Sequence, residues 1–365
     1  MIEAAYRAIG ATLERVPGLV PTVDVPRRCE VLVHAASAGE VKAALALRAA
    51  ADRPGGWLIT SGTAAGVAMG ADGRAPRDTP GAVGGALDAA RPDVLLLIEA
   101  ELWPTLLAEA DRRGVPVAVV GARVSARAAR RWERVPRGLR RSLLGRVSFW
   151  AAASDLDARR LIGIGVAPSR VETTGRLKFP DPPDAHAVEA RRRDVIRMFP
   201  GRSGPLVVLG SVHPGETTAL AEQARGTVLD ADHARWLLAP RHPATRRLRA
   251  EAAAVGGTIE ERFGVLRPWY GAADACFVGG GRTGRGVHDL LEPLAMGRRP
   301  IFFARRGDPS GTGAALASRG AAICLDEHPD LADALAPGPS PESVRAAWDG
   351  RRPTLDALAR RGLLP

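Results

Sequence analysis

Cysteine is scarce in this 365-residue chain, and the positions of the few cysteines exclude two kinds of structure. Only Cys29, Cys276 and Cys324 occur, and none of them stands at a CxxC or zinc-ligand spacing. A disulfide framework is therefore not expected, and the chain suits a reducing compartment. Because no ligand pattern is present, we predict neither a metal site nor a cofactor.

Long apolar runs are also missing. No segment reaches the roughly 18 to 20 uninterrupted apolar residues that span a bilayer. Charged residues, such as Arg7 and Glu14, interrupt the first thirty positions, so these do not read as a signal peptide. The apolar residues there fit one face of a short amphipathic helix, which either packs on its own domain or lies on a membrane surface. They are Ala4, Ala5, Ile9, Leu13 and Val16.

Lysine and aromatic residues are few, although the formal net charge is +11. Lys42 and Lys178 are the only lysines, so arginine supplies nearly all the positive charge. A GC-rich coding bias explains such a composition, as does attraction to phosphate on a nucleotide ligand, an anionic membrane surface or nucleic acid. Nucleic acid is disfavoured, because aromatics make up only 4% and do not alternate with basic residues.

The chain does contain short apolar runs that alternate with helix-like stretches, a pattern typical of βαβ units around a parallel sheet. The predicted strands are Glu30–Ala35, Trp57–Thr60, Val94–Ile98, Val115–Val120, Phe149–Ala153, Leu206–Gly210, Arg235–Ala239, Ala275–Val278 and Pro300–Phe303. Because 365 residues exceed one compact core, the two series predict an α/β protein of two Rossmann-like domains with parallel sheets facing across a cleft. The KFPDPP segment, Lys178–Pro183, marks the boundary, which predicts domains over residues 1–178 and 184–365.

Ligands of open parallel sheets bind beyond the carboxyl ends of the strands, so the functional residues of the first domain are expected in the loops that follow its strands. The loop HAASAGE contains Ser37 and Gly39 and ends at Glu40, which either caps the next helix or acts as a general base. Glu99 and Glu101 follow the strand Val94–Ile98 and are either acidic residues before a helix or functional carboxylates. Arg123 follows the next strand as a candidate phosphate or carboxylate clamp.

The loops of the predicted second domain suit an anionic ligand. The first two supply hydroxyl, imidazole, backbone N–H and guanidinium donors, and the third is rich in glycine, which lets the backbone approach a phosphate. Glu292 stands one turn into the following helix, where its carboxylate can accept hydrogen bonds from ribose hydroxyls. The candidate residues in these loops are Ser211, His213, Gly215, Arg241, His242, Gly279, Gly280, His288, Asp289 and Glu292.

Taken together, these loops resemble the motifs of the Kdo transferase family, which has the fold called GT-B. HAASAGE at 34–40 resembles HAxSxGE, IEAELWP at 98–104 resembles METELWP, and TGRLKF at 174–179 resembles TGNLKF. GARVSARAARRW, GSVHPGE, APRHP and GGGRTGRGVHDLLEPLAMG follow in the family's order. The resemblance extends over roughly residues 30 to 305.

The resemblance implies an inverting glycosyltransferase that moves Kdo from CMP-Kdo to a lipid A precursor, lipid IVA, in lipopolysaccharide synthesis. By this analogy the first domain binds the acceptor and the second binds the donor. Glu40 would be the general base, supported by Glu99 and Glu101, and Lys178 would reach the sugar carboxylate or the phosphate. The nucleotide would be held by Ser211, His213, Arg241, Gly280, His288 and Glu292. The protein would lie on the cytoplasmic face of the inner membrane, peripheral or partly soluble.

Two other functions remain open at this point. A sugar-nucleotide 2-epimerase has the same twin Rossmann fold, and a catalytically silent nucleotide-binding relative, or one with another donor or acceptor, is a second alternative. The chain also departs from the family at Asp289, where the family has asparagine, and at Gly281, where it has serine.

Overall fold

We describe the protein from a computed structural model of residues 28–99, 102–180, 184–283, 286–304, 311–326 and 331–364. The predicted amphipathic helix near the amino terminus lies outside the described residues. So do the candidate carboxylate Glu101 and residues 181–183 of the predicted boundary segment. The chain divides into two compact units, Met1–Lys178 with Trp348–Pro365 and Phe179–Ala347.

The first unit is built on a seven-stranded sheet with the order β3-β2-β1-β4-β5-β6-β7, in which every pair of strands is parallel. Its strands are β1 (Val31–Ala35), β2 (Trp57–Ser61), β3 (Gly73–Arg74), β4 (Val94–Ile98), β5 (Val117–Ala122), β6 (Val147–Ala152) and β7 (Val171–Thr173). Its helices before the boundary are α1 (Ala38–Ala49), α2 (Ala64–Ala68), α3 (Pro80–Ala90), α4 (Pro104–Arg112), α5 (Ala126–Arg134), α6 (Arg137–Gly145) and α7 (Asp155–Gly163).

The central strand β4 shows why these apolar runs form strands covered on both faces. Its sequence VLLLI is buried along its whole length. Successive side chains of a strand point to opposite faces, so Leu95 and Leu97 enter one core cluster while Leu96 and Ile98 enter the other. Helices cover both faces of a parallel sheet, and both faces are therefore apolar.

The second unit repeats this arrangement around a six-stranded parallel sheet with the order β10-β9-β8-β11-β12-β13. Its strands are β8 (Leu206–Val212), β9 (Arg235–Pro240), β10 (Thr258–Ile259), β11 (Ala275–Val278), β12 (Pro300–Phe302) and β13 (Ile323–Cys324). Its helices are α8 (Ala185–Met198), α9 (Glu216–Ala224), α10 (Arg246–Ala254), α11 (Leu266–Ala272), α12 (Leu291–Leu294) and α13 (Thr312–Ala317). The predicted α/β class with two parallel Rossmann-like sheets is confirmed.

The carboxyl-terminal segment corrects the predicted range of the second domain, which extended to residue 365. Helix α14 (Pro341–Trp348) leads to α15 (Arg351–Arg360), and Trp348–Pro365 belongs to the first unit. Leu355 and Leu358 of α15 enter the core on one face of the first sheet, and the hydroxyls of Thr174 and Thr354 lie 2.8 Å apart. The tail returns because these leucines bury apolar surface there.

Candidate active site

Glu40 lies at the start of α1, directly beyond the carboxyl end of β1. The Ser37 hydroxyl accepts a hydrogen bond from the Glu40 amide at 3.3 Å and caps the helix. The Glu40 carboxylate in turn accepts from the Ala36 amide at 2.6 Å and from the Ser37 hydroxyl at 2.9 Å. The arrangement is similar to a capping box, except that the carboxylate accepts from the amide before the cap residue, and it holds Glu40, which is only 7% exposed, in one orientation. The capping alternative is therefore observed, and the role of general base stays a prediction.

Lys178 and Glu99 meet beside this helix start. The Lys178 ammonium lies 2.7 Å from a Glu99 carboxylate oxygen. A Cβ placed on Gly39 would lie 3.5 Å from the same ammonium, so the glycine lets the positive charge approach the first turn of α1. Glu99 has a φ of +61°, a left-handed conformation that is unfavourable for a residue with a side chain, and its amide donates to the Val120 carbonyl at 2.9 Å.

His34, the first residue of the HAASAGE loop, is a buried group that the sequence did not single out. It is 2% exposed and packs edge-on against Trp103 at 4.6 Å between ring centroids. Its Nε2 has no hydrogen-bond partner among the residues that the structure describes. Burial lowers the pKa of His34 to about 4, so the ring is neutral at pH 7.

Arg123 stands apart from these contacts. It is exposed on the loop after β5, and neighbouring groups hold the next residue in place. The Val124 amide donates to Asp157 at 2.8 Å, and Arg160 donates to the Val124 carbonyl at 2.9 Å. In the first unit Ser37 thus contacts Glu40 and Lys178 contacts Glu99, with Gly39 next to the Lys178 ammonium, while Arg123 is on the same sheet edge without such a contact.

In the second unit, the carboxylate of Glu216 organises the loops after β8 and β11. Glu216 is fully buried and accepts hydrogen bonds from the amides of His213 at 3.0 Å, Gly280 at 2.8 Å and Arg282 at 3.1 Å. Burial raises the pKa of Glu216, and these backbone donors oppose the rise. The carboxylate therefore fastens the glycine-rich loop to the start of α9.

This network corrects the prediction that backbone amides of these loops face a phosphate. The Gly280 amide donates to Glu216, and the Gly279 amide donates to the Gly210 carbonyl at 2.9 Å. The Gly215 amide donates to Glu251 at 2.7 Å. Carboxylates and a carbonyl of the protein already satisfy these donors, so side chains are left to contact an anion.

Glycine is needed in this loop for a different reason, which is the lack of space for a side chain. A Cβ on Gly279 would lie 2.6 Å from a Glu216 oxygen, and one on Gly281 would lie 1.4 Å from the Phe303 carbonyl oxygen. Gly280 has a φ of +101°, which L side chains rarely adopt. Each glycine is required by close packing of the loop on its neighbours.

Three imidazoles gather next to this loop. The Nε2 atoms of His213 and His288 lie 2.9 Å apart, with the rings stacked at 5.2 Å between centroids. The ring of His242 approaches His213 edge-on at 6.1 Å. Imidazole rings at this spacing can share a proton or donate to an anionic oxygen. The sequence-predicted His213, His242 and His288 are thus brought together.

A cavity of about 200 Å³ contains three further predicted residues, Ser211, Arg241 and Glu292. Burial raises the pKa of Glu292 to about 7, with a further rise from Asp289, while Arg267 and Arg241 oppose it. Asp289 itself accepts from the Leu291 amide at 3.0 Å at the start of α12. A half-buried carboxylate between two arginines and a carboxylate is a typical binding-site arrangement.

The cavity also has residues that the sequence did not reveal, on the loop between β10 and α11. The loop residues are Glu260, Arg262, Phe263, Gly264 and Val265, and the first two residues of α11, Leu266 and Arg267, also line the cavity. Phe263 is 95% exposed at the cavity wall. Glu260 anchors the loop by accepting from Arg262 Nε at 2.9 Å and from Trp269 Nε1 at 3.0 Å. Burial opposes ionisation of Glu260, but these hydrogen bonds from Arg262 and Trp269 hold its pKa down at about 2.

Comparison with known proteins places the chain in a family. A model described as 3-deoxy-D-manno-octulosonic-acid transferase (kdotransferase) matches residues 10–180. The 3-deoxy-D-manno-octulosonic acid transferase of Bordetella pertussis is 33% identical, over 91% of this chain and 87% of that one. The chain belongs to the Kdo transferase family. The Haemophilus influenzae transferase is 27% identical over 63% of this chain, and the match spans 57% of that relative's length. Kdo transferases are glycosyltransferases of lipopolysaccharide synthesis, so the predicted family and enzyme class are confirmed.

Solved structures show the fold of this Kdo transferase family member but not its activity. UDP-GlcNAc 2-epimerase from Neisseria meningitidis, bound to UDP-GlcNAc, superposes with a TM-score of 0.58 at 11% identity, covering 90% of this chain and 99% of that one. The epimerase from Methanocaldococcus jannaschii gives 0.53 at 12% identity, covering 88% and 91%. The predicted GT-B type of fold is confirmed. The epimerases share the fold, whereas the sequence family is that of the transferases.

Two features are absent from the described residues. No helix among them is long and apolar enough to cross a membrane. Within the same residues, no group of three or more histidine, cysteine, aspartate or glutamate side chains is gathered as a metal site.

Proposed function

We propose that the protein transfers Kdo from CMP-Kdo to a lipid A precursor of the lipid IVA type, with inversion at the anomeric carbon. The observation that carries the proposal is that one member of this family contains both a candidate catalytic base and a candidate nucleotide cavity. The first unit holds an oriented carboxylate at Glu40, and the second holds a cavity with an arginine and a carboxylate, Arg241 and Glu292. The first unit would bind the acceptor, and the second would bind the donor nucleotide.

The donor half follows from the charges of the cavity. Arg241 is exposed at the cavity and provides a permanent positive charge for the phosphate of a nucleotide. Glu292 provides a carboxylate whose burial is unfavourable without donors, and vicinal ribose hydroxyls are suitable donors. Phe263 offers an exposed aromatic face for a nucleobase. Ser211 and the three imidazoles add donors for phosphate oxygens.

In the acceptor half, Glu40 would take the proton. The acceptor hydroxyl oxygen attacks the anomeric carbon of Kdo and forms the new glycosidic bond. The bond from that carbon to the phosphate oxygen breaks, CMP leaves with the electron pair, and the hydroxyl proton passes to Glu40. The donors from Ala36 and Ser37 hold the carboxylate in place for this transfer. A single displacement of this kind inverts the anomeric centre.

The contact of Lys178 with Glu99 suggests how the negatively charged donor is bound. The ammonium stands near the first turn of α1, where the helix dipole also favours an anion. We infer that Lys178 binds the Kdo carboxylate or the donor phosphate, while Glu99 keeps it in position before substrate arrives. Because the proposed acceptor is a lipid, the protein would work peripherally at the cytoplasmic face of the inner membrane.

The test is a donor and acceptor panel with the purified full chain. CMP-Kdo with lipid IVA should give a Kdo-containing product, whereas UDP-linked sugars should give none. Glu40→Gln should lower kcat by at least about a hundredfold, since a lost general base costs 10²- to 10⁴-fold, and should leave CMP affinity unchanged. Glu222→Gln, an exposed carboxylate on α9, is the matched control and should retain full activity. Product from UDP-sugars alone, or full activity of Glu40→Gln, would reject the proposal.

The same panel distinguishes an active transferase from a catalytically silent, nucleotide-binding relative. A silent protein would bind CMP in a titration and give no product from CMP-Kdo or from UDP-linked sugars. Binding without turnover would therefore assign the nucleotide site and withdraw the transferase activity.

A further inference from the structure

Helices α5 and α6 contain many arginines and very few acidic residues. Residues 127–141 include seven arginines and a single carboxylate, Glu133. Six of these arginines are exposed, and we call them the arginine face: Arg127, Arg130, Arg131, Arg134, Arg137 and Arg141. Among the residues that the structure describes, no carboxylate pairs with any of the six. The seventh, Arg140, is half-buried and donates to the Trp132 carbonyl at 3.2 Å.

The spacing places like charges next to each other. In α5, Arg127 lies three and four residues before Arg130 and Arg131, and Arg134 lies four and three residues after them, which puts all four on one side of the helix. Like charges at this spacing destabilise a helix, so local stability gives no reason for the arrangement. The helix is held instead by packing of Ala128, Ala129 and Trp132 on the core. An unfavourable cluster retained on a well-packed helix indicates a partner of opposite charge.

Another arginine-rich helix of the chain shows that composition alone does not produce such a cluster. On α8, Arg192 pairs with Glu189 at 3.6 Å, and Arg197 pairs with Asp194 at 2.5 Å. Arg191 also pairs with Asp194, at 3.0 Å. An arginine-rich coding bias applies equally to both regions, yet three of the four arginines on α8 pair with carboxylates, whereas no described carboxylate pairs with the arginine face.

The arginine face adjoins the candidate site of its own unit. Helix α5 begins after Ser125, three residues beyond the end of β5, and β5 pairs with β4, which pairs with β1. In a parallel sheet the carboxyl ends of these strands lie on one edge. Glu40 and Glu99 follow β1 and β4 on that same edge. The amino-terminal end of the arginine face therefore lies on the side of the sheet where an acceptor would enter.

We propose that the arginine face is the surface with which the protein lies on an anionic phospholipid bilayer. Guanidinium groups bind lipid phosphates, and the half-buried Trp132 between them has an amphipathic ring suited to a headgroup region. The inference rests on the proposed function in one respect, because a lipid-linked acceptor is met at such a surface. Lipid binding itself is measured without any transfer reaction.

The test is cosedimentation of the full chain with vesicles. The protein should bind vesicles of phosphatidylglycerol and phosphatidylcholine, should bind pure phosphatidylcholine poorly, and should be released as salt is raised. The triple variant Arg127→Gln, Arg130→Gln, Arg134→Gln should lower the partition coefficient about a hundredfold or more. Each basic residue near an anionic surface contributes about 1 kcal/mol, and tenfold corresponds to about 1.4 kcal/mol.

Two matched variants distinguish this surface from general basicity. Removing the same charge from exposed arginines of the second unit, Arg225, Arg246 and Arg319, should change the partition less than about threefold. Replacing Arg127, Arg130 and Arg134 by lysine keeps the charge and should preserve binding. Unchanged pelleting of the glutamine variant, an equal loss in the second-unit control, or tighter binding of duplex DNA than of vesicles would overturn the proposal.

A separate measurement keeps this inference apart from the proposed function. CMP titration of the glutamine variant should match that of the wild type, because the substitutions lie in the other unit. If the wild type binds vesicles through the arginine face but binds no CMP, the proposed function fails and the lipid surface stands. If CMP binds and the glutamine variant pellets normally, the lipid surface fails and the donor site stands.

Discussion

Replacing Glu292 by glutamine should stabilise the protein at alkaline pH and leave its stability nearly unchanged at acidic pH. Burial raises the pKa of this carboxyl from 4.5 to about 7, with Asp289 as a second cause. A folded-state pKa above the unfolded value means that the folded protein holds the proton more tightly. That contribution to the free energy of unfolding is complete below pH 4.5 and is lost as pH rises through 7.

The size of the effect follows from the two pKa values. The step from 4.5 to about 7 corresponds to roughly 3 kcal/mol at 1.36 kcal/mol for each tenfold change in acidity. Glutamine has nearly the same shape and stays neutral. Glu292→Gln should therefore raise the free energy of unfolding by roughly 3 kcal/mol at pH 8.5 and by less than about 1 kcal/mol at pH 5.

Urea unfolding at pH 5, 7 and 8.5, followed by circular dichroism, measures this difference. Glu222→Gln on the surface of α9 is the control, and its effect should not vary with pH. Asp289→Asn removes the second cause of the raised pKa, so the Glu292→Gln effect at pH 8.5 should be smaller in an Asp289→Asn background than in the wild type. A Glu292→Gln variant whose stability relative to wild type is the same at all three pH values would refute the reasoning.

Three other predictions concern single side chains. Phe263→Ala should weaken CMP binding about tenfold or more, as expected for loss of base stacking, while Phe263→Trp should retain it; equal titrations for all three proteins would remove Phe263 from the donor site. Because the folded pKa of His34 is about 4, the free energy of unfolding of the wild type, measured in urea, should fall by about 2 kcal/mol as pH drops from 6.5 to 4.5. His34→Phe should abolish this loss of stability. Gly281→Ala should yield no folded second unit by circular dichroism, since its Cβ would lie 1.4 Å from a carbonyl oxygen. Gly85→Ala in α3 is the control: its Cβ would meet nothing within 4 Å, and the variant should stabilise the protein by roughly 0.5 kcal/mol.

Most strands were predictable because each is a short, mainly apolar run that is buried in the sheet. The predicted Val94–Ile98 and Ala275–Val278 match β4 and β11 residue for residue. Strands β3, β7, β10 and β13, which lie at the edges of the two sheets, were not predicted because each has only two or three residues. Such strands are defined by hydrogen bonds to a neighbouring strand, which leave no periodic pattern in the sequence.

The site was predictable where a residue directly follows a long strand. Ser211 and Arg241 were selected in that way, Glu292 was selected from the helix after the glycine-rich loop, and all three line one cavity. Phe263 was not found, because it follows a two-residue strand and resembles an ordinary exposed residue in a loop. Only the anchoring of that loop by Glu260 and Trp269 places its ring at the cavity.

The amino-acid sequence by itself determined the alternation of strands and helices, the family, and the order of the motifs, since these depend on residue type and local spacing. Tertiary structure alone decided which donors are already used and where the tail packs. The Gly280 amide belongs to Glu216, 64 positions away, and α15 returns to the first sheet across nearly the whole chain. Both outcomes depend on burial of a carboxylate or of leucines against distant partners, and local spacing does not encode such contacts.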